Sequence, residues 1–303
     1  MAGMLEIDGS MGEGGGQVLR SALTLSCITG RPFRMTAIRA GRGRPGLAAQ
    51  HLTCVRAAAR ISEARVSGDR TGSTELSFRP KRTRAGKYRF SVRTAGAAAL
   101  VAQTVALPLA LTEGESRVVI RGGTHVPWSP TAGYLSSVWC PAVGAVGLRV
   151  AAALTRAGYY PKGGGELELS VRGRGRTPLP LDAVQRGSLR HLRASVTISR
   201  LPRDIGLRCR GRAEELLTAS GLFADWEELR PQAASPGVCL ELVADFGVLS
   251  AGFVSIGRRG KPAEELAAEA VGSLTDFLSS GASVDMHLAD QLVPFAALAA
   301  GAS

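Results

Sequence analysis

The sequence predicts an α/β (α+β) fold in which repeated β-α-β-α-β-β units form a large domain that carries a smaller inserted α/β domain. The first observation is a repeat. Gln17 to Gly30, Gln103 to Gly114 and Gln291 to Gly301 each read as a Gln opening an apolar helix that stops at a Gly. The second is the segment after each of the first two helices. Gly30 leads into the strand-like run and glycine turn RMTAIRAGR, and Gly114 leads into RVVIRGGT. The third is periodicity: apolar alternation marks the strands, and i, i+3, i+4 spacing marks the helices.

In unit one, LEIDG is a strand, a helix starts at Gln17 and RMTAIRAG is a strand. A helix then runs from Leu47 to Ile61, and ARVSG and TELSF form a strand pair. In unit two, YRFSVRTAG is the strand, AAALVAQTVALPLAL the helix and RVVIRGG the next strand. A helix from Tyr134 to Val146, a run from Leu148 to Leu154 and the strand ELELSV complete it. The stretch RGRGRTPLPLDAVQRGS reads as a connection, because Gly and Pro break both periods. Beyond it, LRASVTISRL, a helix near Gly211 to Ser220, GVCLELVADF and AGFVSIG form the insert. A helix from Pro262 to Ser279 and the segment HLADQL resume the large domain. The expected division is therefore 1–185, 186–255 and 256–303. After Gly301 only Ala302 and Ser303 remain, so the third copy is expected to stop in mid-unit.

The apolar fraction of 45% is that of a globular protein able to bury a large core. No apolar run is long enough to span a bilayer. The opening MAGMLEIDGSMGEGGG has neither a basic nor an apolar leader region, so a cytoplasmic protein is expected. Five scattered Cys without a CxxC fit a reducing compartment and no structural zinc. The net charge of +12 favours polyanions. Since 33 of the 37 basic residues are Arg, genome composition is the competing explanation. Clustering of Arg31, Arg34, Arg39, Arg42 and Arg44 beside glycine turns favours the polyanion.

Gly12-Glu13-Gly14-Gly15-Gly16-Gln17 lies between a strand and a helix. There, backbone N–H groups attract anions and glycines admit a ligand. Glu13 would repel phosphate and suits a metal or a ribose hydroxyl; a plain tight turn is the alternative. Gly41-Arg42-Gly43-Arg44-Pro45-Gly46 has the GxGxxG spacing. Its Arg and Pro residues spoil a dinucleotide turn, however, and suit an Arg-bearing phosphate loop with Gln50 and His51 at the next helix start. His51 divides evenly between a structural role and a role in the site. The loops Gly122 to Pro130 and Tyr160 to Glu166 read equally as connections or as sites, and Gly257 to Lys261 as a solvated loop. No Walker loop, GxSxG elbow, HExxH or KxDG occurs, which sets aside those chemistries.

GEGGGQVLRSALTLSCITGRP, IRAGRGRPGLAAQHL, the AQTV segment, GGT with its Pro loop, YYPKGGGE and HLADQLVPFAALAAG resemble, in order, the RNA 3′-terminal phosphate cyclase family. The resemblance spans nearly the whole chain and is weak only in the insert. It implies a repeated unit similar to the C-terminal domain of a bacterial translation initiation factor, in a large domain similar to enolpyruvyl transferases. It also implies ATP and a divalent cation, Mg or Mn, as cofactors and RNA 3′-phosphate ends as partners. The implied chemistry has three steps: a His takes AMP from ATP, AMP passes to the RNA 3′-phosphate, and the neighbouring 2′-hydroxyl displaces it to close a 2′,3′-cyclic phosphate. By position, the resemblance implies ATP-binding roles for Gln103, His287, Leu288, Ala289, Asp290 and Gln291. It implies active-site roles for Glu13, Arg20, Arg39, Arg42, Gln50, His51, Pro130 and Tyr160. Where the family often has Tyr, this chain has His287. The nucleophilic His is implied in a strand–SxHxxTN–helix segment beyond the third helix, and no such motif occurs in residues 1–303. The chain by itself is therefore expected to lack the catalytic His. Two other readings stand beside the cyclase: a non-catalytic cyclase-like protein that binds RNA or ribosome-assembly partners, and, on fold analogy alone, enolpyruvyl-transferase-like chemistry.

Overall fold

The computed structural model describes residues 3–301. Phe33, Met35, Leu76 and Phe78 point to one side of their strands and are almost fully buried, which fixes the core face of the first sheet. That sheet holds β1 (Leu5–Asp8), β2 (Phe33–Thr36), β3 (Arg65–Ser67) and β4 (Leu76–Arg79) in the order β1-β2-β4-β3. Its helices are α1 (Gln17–Thr29) and α2 (Ala49–Ser62). The second sheet holds β5 (Lys87–Ser91), β6 (Gly114–Gly122), β7 (Arg149–Arg156) and β8 (Gly165–Gly173) in the order β5-β6-β8-β7. The two sheets pair alike. The first two strands of each are parallel, and the fourth lies antiparallel between the second and third. The repeat expected from sequence is thus a repeat of topology. Mixed α/β structure holds throughout the described residues.

α3 (Ala98–Ala110) is apolar on every side, and all its residues except Gln103 are buried. Such a helix belongs inside a core, and α3 packs on α1, α2 and β8. α4 (Ala132–Tyr134) runs through a π-helical turn at Leu135–Trp139 into α5 (Cys140–Ala145). A third sheet, order β10-β9-β11-β12, is built from β9 (His191–Ser199), β10 (Asp225–Leu229), β11 (Gly237–Asp245) and β12 (Ser250–Ile256). Its core is closed by α6 (Arg203–Ala219) and α7 (Ala263–Ser280). α8 (Met286–Ala296) returns to the large core through Leu288, Leu292 and Phe295. The Phe295 ring meets Trp139 edge-on at 6.0 Å.

Several expectations change. Only Gln17 opens its helix. Gln103 and Gln291 both sit one and a half turns inside theirs, because Ala98 and Met286 start those helices. The strand read in RMTAIRAG lies earlier, at Phe33–Thr36, since left-handed Ala37 and Arg39 turn the chain. α6 starts at Arg203, several residues before Gly211, because its Arg-rich first turns hide the apolar period. β10, DWEEL, is a charged edge strand that apolar alternation does not reveal. The 255/256 division cuts α7 from the small sheet, whereas Leu266, Ala270, Leu274 and Phe277 bury into that sheet's core.

Asp285 joins the pieces. Its carboxylate caps α8 by accepting from the N–H groups of His287 (3.0 Å) and Leu288 (2.9 Å). It also accepts from the Tyr134 hydroxyl at 2.9 Å and from the Gly252 N–H at 3.2 Å. A second link is the hydrogen bond from Thr131, at the start of α4, to the buried carboxyl of Glu241 on β11. Burial pushes the Glu241 pKa up, opposed by its bonds to Thr131 and the Tyr134 N–H. Among the described residues, no helix is long and apolar enough to cross a membrane.

Candidate active site

The loops after β1 and β2 interlock because both carry glycine where they cross. A Cβ on Gly14 would meet the Gly41 nitrogen at 2.7 Å, and one on Gly41 would meet the Glu13 carbonyl at 2.7 Å. This crossing puts Glu13 beside Arg42, with a guanidinium–carboxylate contact of 3.0 Å. The pair is exposed, so it contributes little to stability and its groups stay accessible. Arg39 sits at φ +56° and donates to the carbonyls of Arg44 (3.0 Å) and Gly46 (2.7 Å), which bends the Arg-bearing loop back. Arg34 points elsewhere and pairs with Glu75 at 2.9 Å.

His51, at the start of α2, is only 5% exposed, and its Nδ1 has no hydrogen-bond partner. Its ring fills the place a side chain at Gly16 would take. Burial first, then Arg39 and Arg20, hold its pKa down at about 3. It is therefore a neutral imidazole ringed by cations. Arg20, bonded to Gln17, is itself lowered by burial. Gln50 turns the other way and accepts from the Ala97 N–H at 3.0 Å, tying the start of α2 to the start of α3.

A second cluster lies along α3. Gln103, the one residue of α3 that is not buried, donates to Gln291 of α8. The next residue, Thr104, receives Thr24 of α1 on its carbonyl at 2.9 Å, which connects this pair to the helix that carries Arg20. On α8, His287, Ala289 and Asp290 are exposed, while Leu288 is fully buried in the core and its N–H is taken by Asp285. Pro130 and Tyr160 lie on the loops that leave β6 and β7. Sequence reasoning missed Asp285, which positions α8. Its signal was an Asp immediately before a helical apolar period.

His51 and His125 give the protein an acid limit. His125 is also buried, and burial lowers its pKa to about 4. The unfolded chain would take up these protons near the ordinary histidine value of about 6.5, whereas the folded chain resists them down to about 3 and about 4. Their stabilising effect is full above that unfolded value and is lost as pH falls below it, by up to about 1.4 kcal/mol per pH unit for each histidine. Urea denaturation between pH 7.5 and 4.5 is expected to show this slope, and His125→Gln to flatten part of it.

A sequence model of the RNA 3′-terminal phosphate cyclase family matches residues 11–303, a span that includes both clusters. This chain belongs to that family. It is 46% identical over 307 residues to the RNA 3′-terminal phosphate cyclase of Trichormus variabilis, covering 99% of this chain and 88% of that protein. It is 47% identical over 302 residues to the one from Methylococcus capsulatus, covering 97% and 84%. For the one from Salmonella agona the identity is 40% over 308 residues, covering 99% and 86%.

Proposed function

We propose that this cyclase-family chain binds ATP and an RNA 3′-terminal phosphate, and serves the ATP-dependent conversion of that phosphate to a 2′,3′-cyclic phosphate through enzyme-AMP and RNA-adenylate intermediates. The observation that carries the reading is a run of basic side chains on the two crossing loops: Arg20 and Arg39 act on His51, whose Nδ1 has no partner, and Arg42, paired with Glu13, lies against the neighbouring Gly15. Such a set suits a phosphate, which Arg binds in a bidentate manner. A neutral His51 accepts or donates one hydrogen bond without adding charge. Gln103 and Gln291 are amides that can donate to and accept from a nucleotide base. Among the described residues, no three His, Cys, Asp or Glu side chains come together as a metal cage. A divalent cation would therefore be carried by phosphate oxygens with Glu13 as a protein ligand, and would offset their charge.

The nucleophilic histidine belongs to a S-x-H-x-x-T-N setting, and none of His51, His125, His191 and His287 has one. His191 pairs with Asp225 at 3.1 Å on the small sheet. The second reading is a non-catalytic cyclase-like protein that binds RNA or ribosome-assembly partners. ATP separates the two. Residues 1–303 incubated with ATP and Mg or Mn are expected to bind ATP by calorimetry and to show no AMP adduct by intact mass. Absence of ATP binding would leave the RNA-binding reading, and an adduct on one of the four histidines would contradict the assignment of the nucleophile. Gln103→Leu is expected to weaken ATP binding about tenfold, since it removes one hydrogen bond and strands its partner. An unchanged Kd would remove Gln103 from the nucleotide site.

A further inference from the structure

Trp128 is 98% exposed and its backbone sits at φ +63°. Both facts are costly for this residue type. A bulky side chain in the left-handed region is strained, and an open indole forgoes the burial that Trp normally gains. The loop that carries it is nevertheless firmly anchored. His125 donates its N–H to the Gly158 carbonyl at 3.1 Å, and its ring stacks on Tyr159 at 5.0 Å. Thr124 Oγ1 accepts from the Gly158 N–H at 2.9 Å and bonds His125 Nδ1 at 2.9 Å. A fixed base thus holds out a strained, solvent-facing indole.

Tyr160 is next to Tyr159 in the chain and is 74% exposed, so a second ring rises from the same base. Cations flank it. Gly163 packs so closely on the β5–α3 loop that a Cβ would meet the Thr94 carbonyl at 2.7 Å, which brings together the segments that hold Lys162 and Arg93. Both are exposed, and neither has a carboxylate partner among the described residues. The same β5–α3 loop receives Gln50, the neighbour of His51. Exposed rings interleaved with free cations are what a single nucleic-acid strand requires, because every base has a π-face and every linkage a charge.

We propose that Trp128, with Tyr160 beside it, is a base-stacking platform for the single-stranded nucleotides that precede the RNA 3′ end, with Lys162 and Arg93 on their phosphates. This rests on the RNA-end reading above and adds the residue that receives the strand. A protein partner would use an exposed Trp too, but would gain nothing from two unpaired cations on the neighbouring segments.

The test titrates a 3′-phosphorylated oligoribonucleotide into the full chain and reads anisotropy together with tryptophan emission. Trp139 is buried and Trp226 is half-covered under Arg210, so quenching by bases falls mainly on Trp128. Trp128→Ala is expected to weaken binding about 5- to 150-fold, the range for one lost base–aromatic stack. Trp128→Phe should stay within about threefold of the native chain, and an oligonucleotide with abasic residues near its end should bind the native and Ala chains alike. Lys162→Ala should reduce the salt dependence by about one phosphate contact. Equal affinity of the Ala variant and native chain, with no quenching, would overturn the platform and leave the RNA reading standing. No binding of the oligonucleotide by the native chain would overturn both. A change in association state without a change in RNA affinity would assign Trp128 to a protein interface and also overturn the platform.

Discussion

Gly16→Ala is expected to cost about a hundredfold in oligonucleotide binding at the phosphate site while leaving the chain folded. Gly16 has ordinary right-handed backbone angles, φ −82° and ψ −8°, so alanine is not excluded by conformation. It is excluded by space. Its Cβ would overlap the His51 ring, lying 2.7 Å from Cδ2, and would stand 3.1 Å from the Arg20 guanidinium. His51 is buried and cannot swing aside without displacing Arg20 or α2. Overpacking of this kind costs about 1–3 kcal/mol in stability. The larger loss comes from geometry, since a displacement of about 1 Å in a positioning group is worth about a hundredfold. Thermal denaturation and oligonucleotide affinity measured on one preparation check both halves. An alanine variant with native affinity would mean that His51 does not need its present place.

Asp285→Ala is expected to destabilise the protein by about 3–5 kcal/mol, because several buried donors lose their acceptor at about 1–3 kcal/mol each. The substitution strands four donors at once: the Tyr134 hydroxyl and the N–H groups of Gly252, His287 and Leu288. It also uncaps α8, a change usually worth about 0.5–2 kcal/mol by itself. Against a typical total of about 5–15 kcal/mol this is a large share. Because α8 carries Gln291, ATP binding should weaken as well. Urea unfolding followed through Trp139, which packs against α8, reads the loss directly. Asp285→Asn keeps one oxygen for the α8 cap and should recover part of it. A native midpoint for Asp285→Ala would show that the three pieces are held by packing alone.

Much of this structure is legible in the residues, and the parts that are not share a cause. The two complete units can be laid side by side because their strands and helices keep clean periods, and their sheets have the same pairing order. The loops with Glu13, Arg39 and Arg42 stand out because glycine and arginine are concentrated between a strand and a helix. Their crossing does not stand out, since close approach of Gly14 to Gly41 is a tertiary fact. Gln103 and Gln291 read as equivalent positions, and they do meet; the Gln-first repeat nevertheless hides that α8 starts earlier, at Met286 behind the Asp285 cap. β10 escapes notice because an edge strand can be acidic. α7 is assigned to the wrong core because amphipathicity names a buried face without naming its partner. Trp128 lies inside a loop that reads equally as a connection, and only its exposure and backbone angle distinguish it.

If Arg20, Arg39 and Arg42 receive the terminal phosphate of an RNA, the protein must distinguish a phosphorylated end from a bare one. The most direct measurement compares one oligoribonucleotide with a 3′-phosphate and the same oligoribonucleotide with a 3′-hydroxyl, by anisotropy at fixed salt, on the native chain and on Arg42→Ala. Tighter binding of the phosphorylated end by about tenfold or more, with that preference lost in Arg42→Ala, is the expected result. Equal binding of the two ends by the native chain would contradict it.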